Sequence, residues 1–109
     1  YARELAPMAG HWPALKLGPP WWFHDSPAGI ARYFDRVIES AGYFNLAGFN
    51  DDTRALLSIP ARHEMWRKAV AGPLAQQVAA GRFTMADAHD LAQWLTVDAA
   101  KSAYRLEGL

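Results

Sequence analysis

The chain has 109 residues, which suits one small domain. Lysine plus arginine and aspartate plus glutamate are each 11, so the net charge is zero and no basic excess points to nucleic acid. Cysteine is absent, which excludes disulfides and thiolate metal sites and fits a reducing, cytoplasmic setting, and no apolar run approaches the roughly 20 residues that span a bilayer.

Taken in chain order, residues 1–8 read as the tail of a helix, closed by Ala9-Gly10 and then Pro13. An initiator methionine is missing, which suggests a piece of something longer. A short mixed-apolar run near 13–17, ending at Gly18-Pro19-Pro20, predicts a buried strand with a stiff exit loop. Ser26-Pro27 is a helix start, with Ser as N-cap and Pro at the first helical position. Ile30, Phe34, Val37, Ile38 and Ala41 then recur at three- and four-residue steps, so a helix is expected over 27–41, ended by Gly42. Residues 43–49 are short, aromatic and apolar and predict a second strand.

Strand, helix and strand in that order should make a right-handed crossover with parallel strands. After residues 50–54 the chain reads as helical, with helices expected near 60–81, 84–95 and 97–104. Gly72-Pro73 should kink or restart the first, and Thr84 to Asp87 has capping-box spacing ahead of Leu91, Trp94 and Leu95.

Parallel strands bury both faces, and two of them leave their edges unpaired. A closed barrel takes eight strand–helix units and typically about 250 residues. The expected fold class is therefore α/β: the C-terminal part of a (β/α)8 TIM-type barrel, with its last two strands plus C-terminal helices, residues 1–109 forming a portion of one domain. Such a piece alone should show a broad or absent unfolding transition unless it self-associates. The competing reading is a small helical interaction module whose aromatics and terminal helices bind a protein partner.

The residues with chemical potential cluster after the two expected strands. Asn50-Asp51-Asp52-Thr53-Arg54 lies where a barrel strand would end, the face on which such folds build active sites. A carboxylate there can ligate a metal or carry a proton, and a guanidinium beyond it can grip carboxylate or sugar oxygens. The bland alternative is an Asx-type turn with a surface arginine. Trp21-Trp22-Phe23 can wall a sugar pocket or simply pack under a loop, with Trp21 the favoured pocket-facing member. His24-Asp25 is a poor metal fragment and reads as local helix capping, and Arg62-His63-Glu64 reads as a structural hydrogen-bond cluster. His11 and His89 are expected at the surface. Lys16 lies inside the first strand and would need a partner.

Three segments, KLGPPWWFHDSPAG, AGYFNLAGFNDDTRALLSIPARHE and LTVDAAKSAYRL, closely resemble the C-terminal part of uronate (glucuronate) isomerase, of the amidohydrolase superfamily of metal-dependent barrels. The resemblance implies that the acid of the family's T/N-D-x-R signature is Asp52, a metal-ligating and catalytic carboxylate. It implies that Arg54 contacts the sugar acid and that Trp21 lines the substrate site. Asp51 is an extra acid beside the signature, so placing the role on Asp52 depends on counting back from Arg54. No His-x-His occurs, although the family draws further metal ligands from such a pair.

The implied activity of the intact enzyme is aldose–ketose isomerisation of hexuronates, D-glucuronate to D-fructuronate and D-galacturonate to D-tagaturonate, by proton transfer through an enediol. The implied cofactor is a divalent, zinc- or manganese-like ion in the intact enzyme, with none held by this piece, which alone should be inactive. The implied partners are a small sugar acid and further copies of the subunit, not nucleic acid or membrane. Another metal-dependent hydrolase of the superfamily fits the fold but not the detailed match.

Overall fold

The computed structural model describes residues 1–20, 24–106 and 108. Helix α1 (Ala2–His11) opens the chain and runs on through Ala9-Gly10, past its expected stop. The reason is packing: a side chain at Gly10 would overlap the Ser40 carbonyl oxygen, so this glycine lets α1 lie close against the next helix.

That helix, α2 (Pro27–Ala41), starts as expected. The Ser26 hydroxyl accepts a hydrogen bond from the Gly29 N–H at 3.1 Å, satisfying one donor that a helix start leaves open. Its apolar stripe is buried at Ile30, Phe34, Val37 and Ala41. Tyr33 donates its hydroxyl to the Gly18 carbonyl at 2.8 Å, which ties α2 to the exit of the first extended run, and burial pushes the phenol's pKa upward.

The two expected strands are corrected by the structure. Tyr43–Asn45 forms a 3-10 turn, and the only pairing of the two runs is one parallel bridge, Leu17 with Leu46. Leu17 N–H donates to the Asn45 carbonyl at 2.9 Å, and Ala47 N–H donates to the Leu17 carbonyl at 2.8 Å. Asn45 explains why residues 43–45 wind up: its amide reaches back to the Ala41 carbonyl at 2.7 Å and extends the end of α2. Among the described residues there is no longer strand, so the architecture is helical.

Helix α3 (Ile59–Ala79) is unbroken through Pro73, where a kink or restart is expected. A proline inside a helix costs about 3 kcal/mol. Buried Trp66, Ala69, Val70 and Leu74 on both sides of it hold the helix together. Helix α4 (Met85–Gln93) has the full capping box: the Asp87 N–H donates to the Thr84 hydroxyl at 3.1 Å, and the Thr84 N–H donates to the Asp87 carboxylate at 2.8 Å. It passes through a π-turn (Trp94–Asp98) into α5 (Ala99–Ala103) instead of breaking into two helices. The Thr96 hydroxyl donates to the Ala92 carbonyl at 2.8 Å, the local back-bonding that loosens a helical ladder.

Each of the first three helices packs on the next. The core centres on Trp66, whose ring lies 5.8 Å from that of Phe34 and stacks at 5.0 Å on that of Phe49. Such rings dominate core energetics through the area they bury.

Candidate functional site

Residues 49–53 run along the face of α3 and of the 3-10 turn Leu56–Ser58 that precedes it. Phe49 stacks on Trp66, Asp51 faces Arg62 with Oδ1 to Nε at 3.7 Å, and the Thr53 hydroxyl lies 3.4 Å from the Ser58 hydroxyl. Every second residue of the extended run thus meets every fourth residue of the helical one, in antiparallel order. The spacings match: two residues of extended chain cover about 6.6 Å, and four helical residues rise about 6 Å. Exposure follows the same period, with Asn50, Asp52 and Arg54 exposed and Asp51 and Thr53 turned inward. Gly48, with φ +81°, makes the bend that leads into this run.

The expected site residues are distributed accordingly. Asp52 and Arg54 share the outward side. The neighbouring acid is a different case: the Asp51 side chain is only 6% exposed and belongs to the inward side. Trp21 lies outside the described residues. His24 is exposed, and its neighbour Asp25 does not cap α2, a correction, because Ser26 does so. Asp25 forms an ion pair with Arg62 instead.

The triplet at the start of α3 is not one cluster either. Arg62 pairs with Asp25 and Asp51, His63 sits edge-on to Phe49 at 5.1 Å, and Glu64 faces solvent. Arg67 and Lys68 lie 2.7 and 3.2 Å from the Glu64 carboxylate and hold its pKa below the usual range. Lys16 has found its partners, donating to the Asn45 side chain at 2.9 Å and to the Phe44 carbonyl at 3.2 Å beside the Leu17–Leu46 bridge. Arg62 is the residue that sequence reasoning underrated. The available signal was a cation one turn into the helix that follows two adjacent acids.

Asp52 and Arg54, a carboxylate and a planar cation two residues apart, are both exposed, and a guanidinium is suited to gripping anionic oxygens. A complete metal site is another matter. Among the described residues no group of three or more His, Cys, Asp and Glu side chains gathers to hold an ion, so Asp52 fits as a single ligand of a larger set and not as a site by itself. A cleft of about 280 Å³ lies elsewhere, between Leu17, Gly18, Pro20, His24 and the α2 residues Arg32 and Tyr33. No described helix is long and apolar enough to cross a membrane.

Comparison with known proteins covers nearly the whole chain. A family model described as glucuronate isomerase matches residues 6–102. The chain is 59% identical to the uronate isomerase of Rhizorhabdus wittichii over 97% of its own length, and 55% identical to that of Nostoc punctiforme over 98%. It spans 23% of the length of each of these relatives. Among solved structures, glucuronate isomerase from Caulobacter crescentus matches with a TM-score of 0.95 at 53% identity, covering 100% of this chain and 23% of that one. Uronate isomerase from Thermotoga maritima matches with a TM-score of 0.90 at 29% identity, covering 94% of this chain and 23% of that one.

Proposed function

This chain belongs to the glucuronate isomerase family, and from that premise we propose that it is the C-terminal part of a longer, cytoplasmic uronate isomerase. In that enzyme it supplies the last two strand–helix units of a metal-dependent barrel. The parallel Leu17–Leu46 bridge, flanked by α2 as the crossover, supports this placement. The observation that carries the functional reading is the alternation over residues 50–54, which turns Asp52 and Arg54 together toward the outside.

The substrate is a hexuronate in its open-chain aldehyde form, D-glucuronate or D-galacturonate. Isomerisation breaks the C2–H bond, and that electron pair forms the C1–C2 double bond as the carbonyl oxygen takes a proton. The resulting enediol then loses the proton from its C2 hydroxyl and gains one at C1, which gives the ketose. Protons and electrons balance without an oxidant. Arg54, with its planar fork of donors, holds the anionic sugar by its oxygens. Trp21 covers one side and excludes water. Asp52 either carries the proton at these two carbons or serves as a metal ligand. A bound zinc- or manganese-like ion, with Asp52 as one ligand and the rest from outside this chain, supplies Lewis-acid polarisation of the substrate oxygens.

The test is expression of the longer protein, with ketose formation from both uronates followed before and after chelation. Isomerisation that is lost on chelation and restored by divalent metal is expected. Failure to convert any hexuronate refutes the reading.

A further inference from the structure

We propose that Arg62 is a positioning residue which decides which of two adjacent acids, Asp51 or Asp52, faces the substrate. This rests on the reading that Asp52 and Arg54 act on a uronate.

A run of extended chain points successive side chains to opposite sides, so rolling it by one residue exchanges every inward group for an outward one. With two aspartates in succession, such a roll would still present a carboxylate, but from the wrong position and with Arg54 turned away. Something must choose between them. Phe49 on Trp66 is an apolar contact, and the Thr53–Ser58 pair is a weak one at 3.4 Å. Arg62 adds a contact that holds Asp51 inward by charge.

Its guanidinium uses different nitrogens for different partners, Nη2 for Asp25 and Nε for Asp51. Asp25 is separated from residues 21–23 by His24 alone, and Asp51 directly precedes Asp52. One rigid fork on α3 therefore spans the two loops that bear the proposed site. A lysine has a single point of charge and cannot reproduce this two-sided grip. Arg62 itself is placed by the helix, because Trp66, one turn further on, is buried to 2% exposure.

Asp51 depends on this ion pair because of its burial. The Asp51 side chain is nearly buried, and its Oδ2 has no hydrogen-bond partner among the described residues. Without Arg62 it would be a buried charge lacking its counterion, so the loop gains by rolling Asp51 out to water. Asp52 and Arg54 would move with it.

The experiment uses the longer protein, comparing wild type with Arg62→Lys, Asp51→Ala and the double variant. Folding is checked by circular dichroism, and metal affinity by chelator competition. Arg62→Lys should fold, lose about 10- to 100-fold in kcat, and hold metal more weakly by a similar factor, with KM changing less. Asp51→Ala removes the buried charge that would drive the roll, so it should keep near wild-type kcat and metal affinity. The double variant should recover most of what Arg62→Lys loses, because the charge that Arg62 counters is gone. A folded Arg62→Lys enzyme with wild-type kcat and metal affinity overturns the proposal, as does a double variant no better than Arg62→Lys. If Arg62→Lys does not fold, the double variant decides: failure to fold once the charge at position 51 is gone would overturn the proposal. An inactive wild-type protein would instead refute the uronate isomerase reading, so the two failures are told apart.

Discussion

Gly29 lies so close beneath the His24 carbonyl that a β-carbon there would overlap the oxygen. The contact fixes how the chain passes from His24 into α2. Gly29→Ala should therefore destabilise the longer protein by about 1–3 kcal/mol, the usual effect of forcing extra atoms into a packed place. Gly72, an exposed glycine within α3 with open space around it, is the control. Gly72→Ala should stabilise by about 0.5–1 kcal/mol. Denaturant titrations of both variants check the pair, and a harmless Gly29→Ala would contradict the described contact.

Lys16 bridges the first extended run to residues 44 and 45. Lys16→Met keeps the apolar stem and removes both hydrogen bonds, at a cost of about 1 kcal/mol. Hydrogen exchange should quicken at the Leu17 and Ala47 amides, the two donors of the parallel bridge. Unchanged protection there would show that Lys16 does not hold the runs together.

The start of α4 should respond to acid. The Thr84 hydroxyl and N–H hold the Asp87 carboxyl below its usual range. A group whose pKa is lowered by folding contributes stability above its unfolded pKa, about 3.9 for aspartate. That contribution is lost as pH falls through the lower, folded value. Exchange at the first amides of α4 should therefore rise as pH drops through and below this window, after correction for intrinsic rates. Thr84→Ala should weaken the helix start at neutral pH and remove most of this acid response. An identical pH profile in the variant would contradict the capping role.

In the proposed reading Arg54 grips the sugar acid. Arg54→Met should leave the fold intact and lower kcat/KM for hexuronates about 100-fold, the scale of losing a substrate-orienting clamp. Equal kinetics with and without the guanidinium would remove Arg54 from the site.

What could be read from residue order was whatever local chemistry controls. Ser26-Pro27 and the stripe through Ile30, Phe34 and Val37 define α2, and Thr84 with Asp87 starts α4. Long-range competition escaped. Residues 43–45 have strand-like composition but are wound by Asn45 reaching back to Ala41. Pro73 fails to break α3 because the buried residues around it pack too well. Gly10, a helix stop by type, is a helix–helix contact by position. The partners of Arg62 lie on two separate loops, and only the folded chain brings them to one guanidinium.

The most direct measurement is the rate of uronate isomerisation by the longer protein carrying Asp52→Asn, which keeps the shape of the side chain and removes its charge. Turnover should fall by about 100-fold or more, the scale of losing a proton-transfer group, and the variant should hold divalent metal less tightly. Wild-type turnover together with wild-type metal retention would contradict the account.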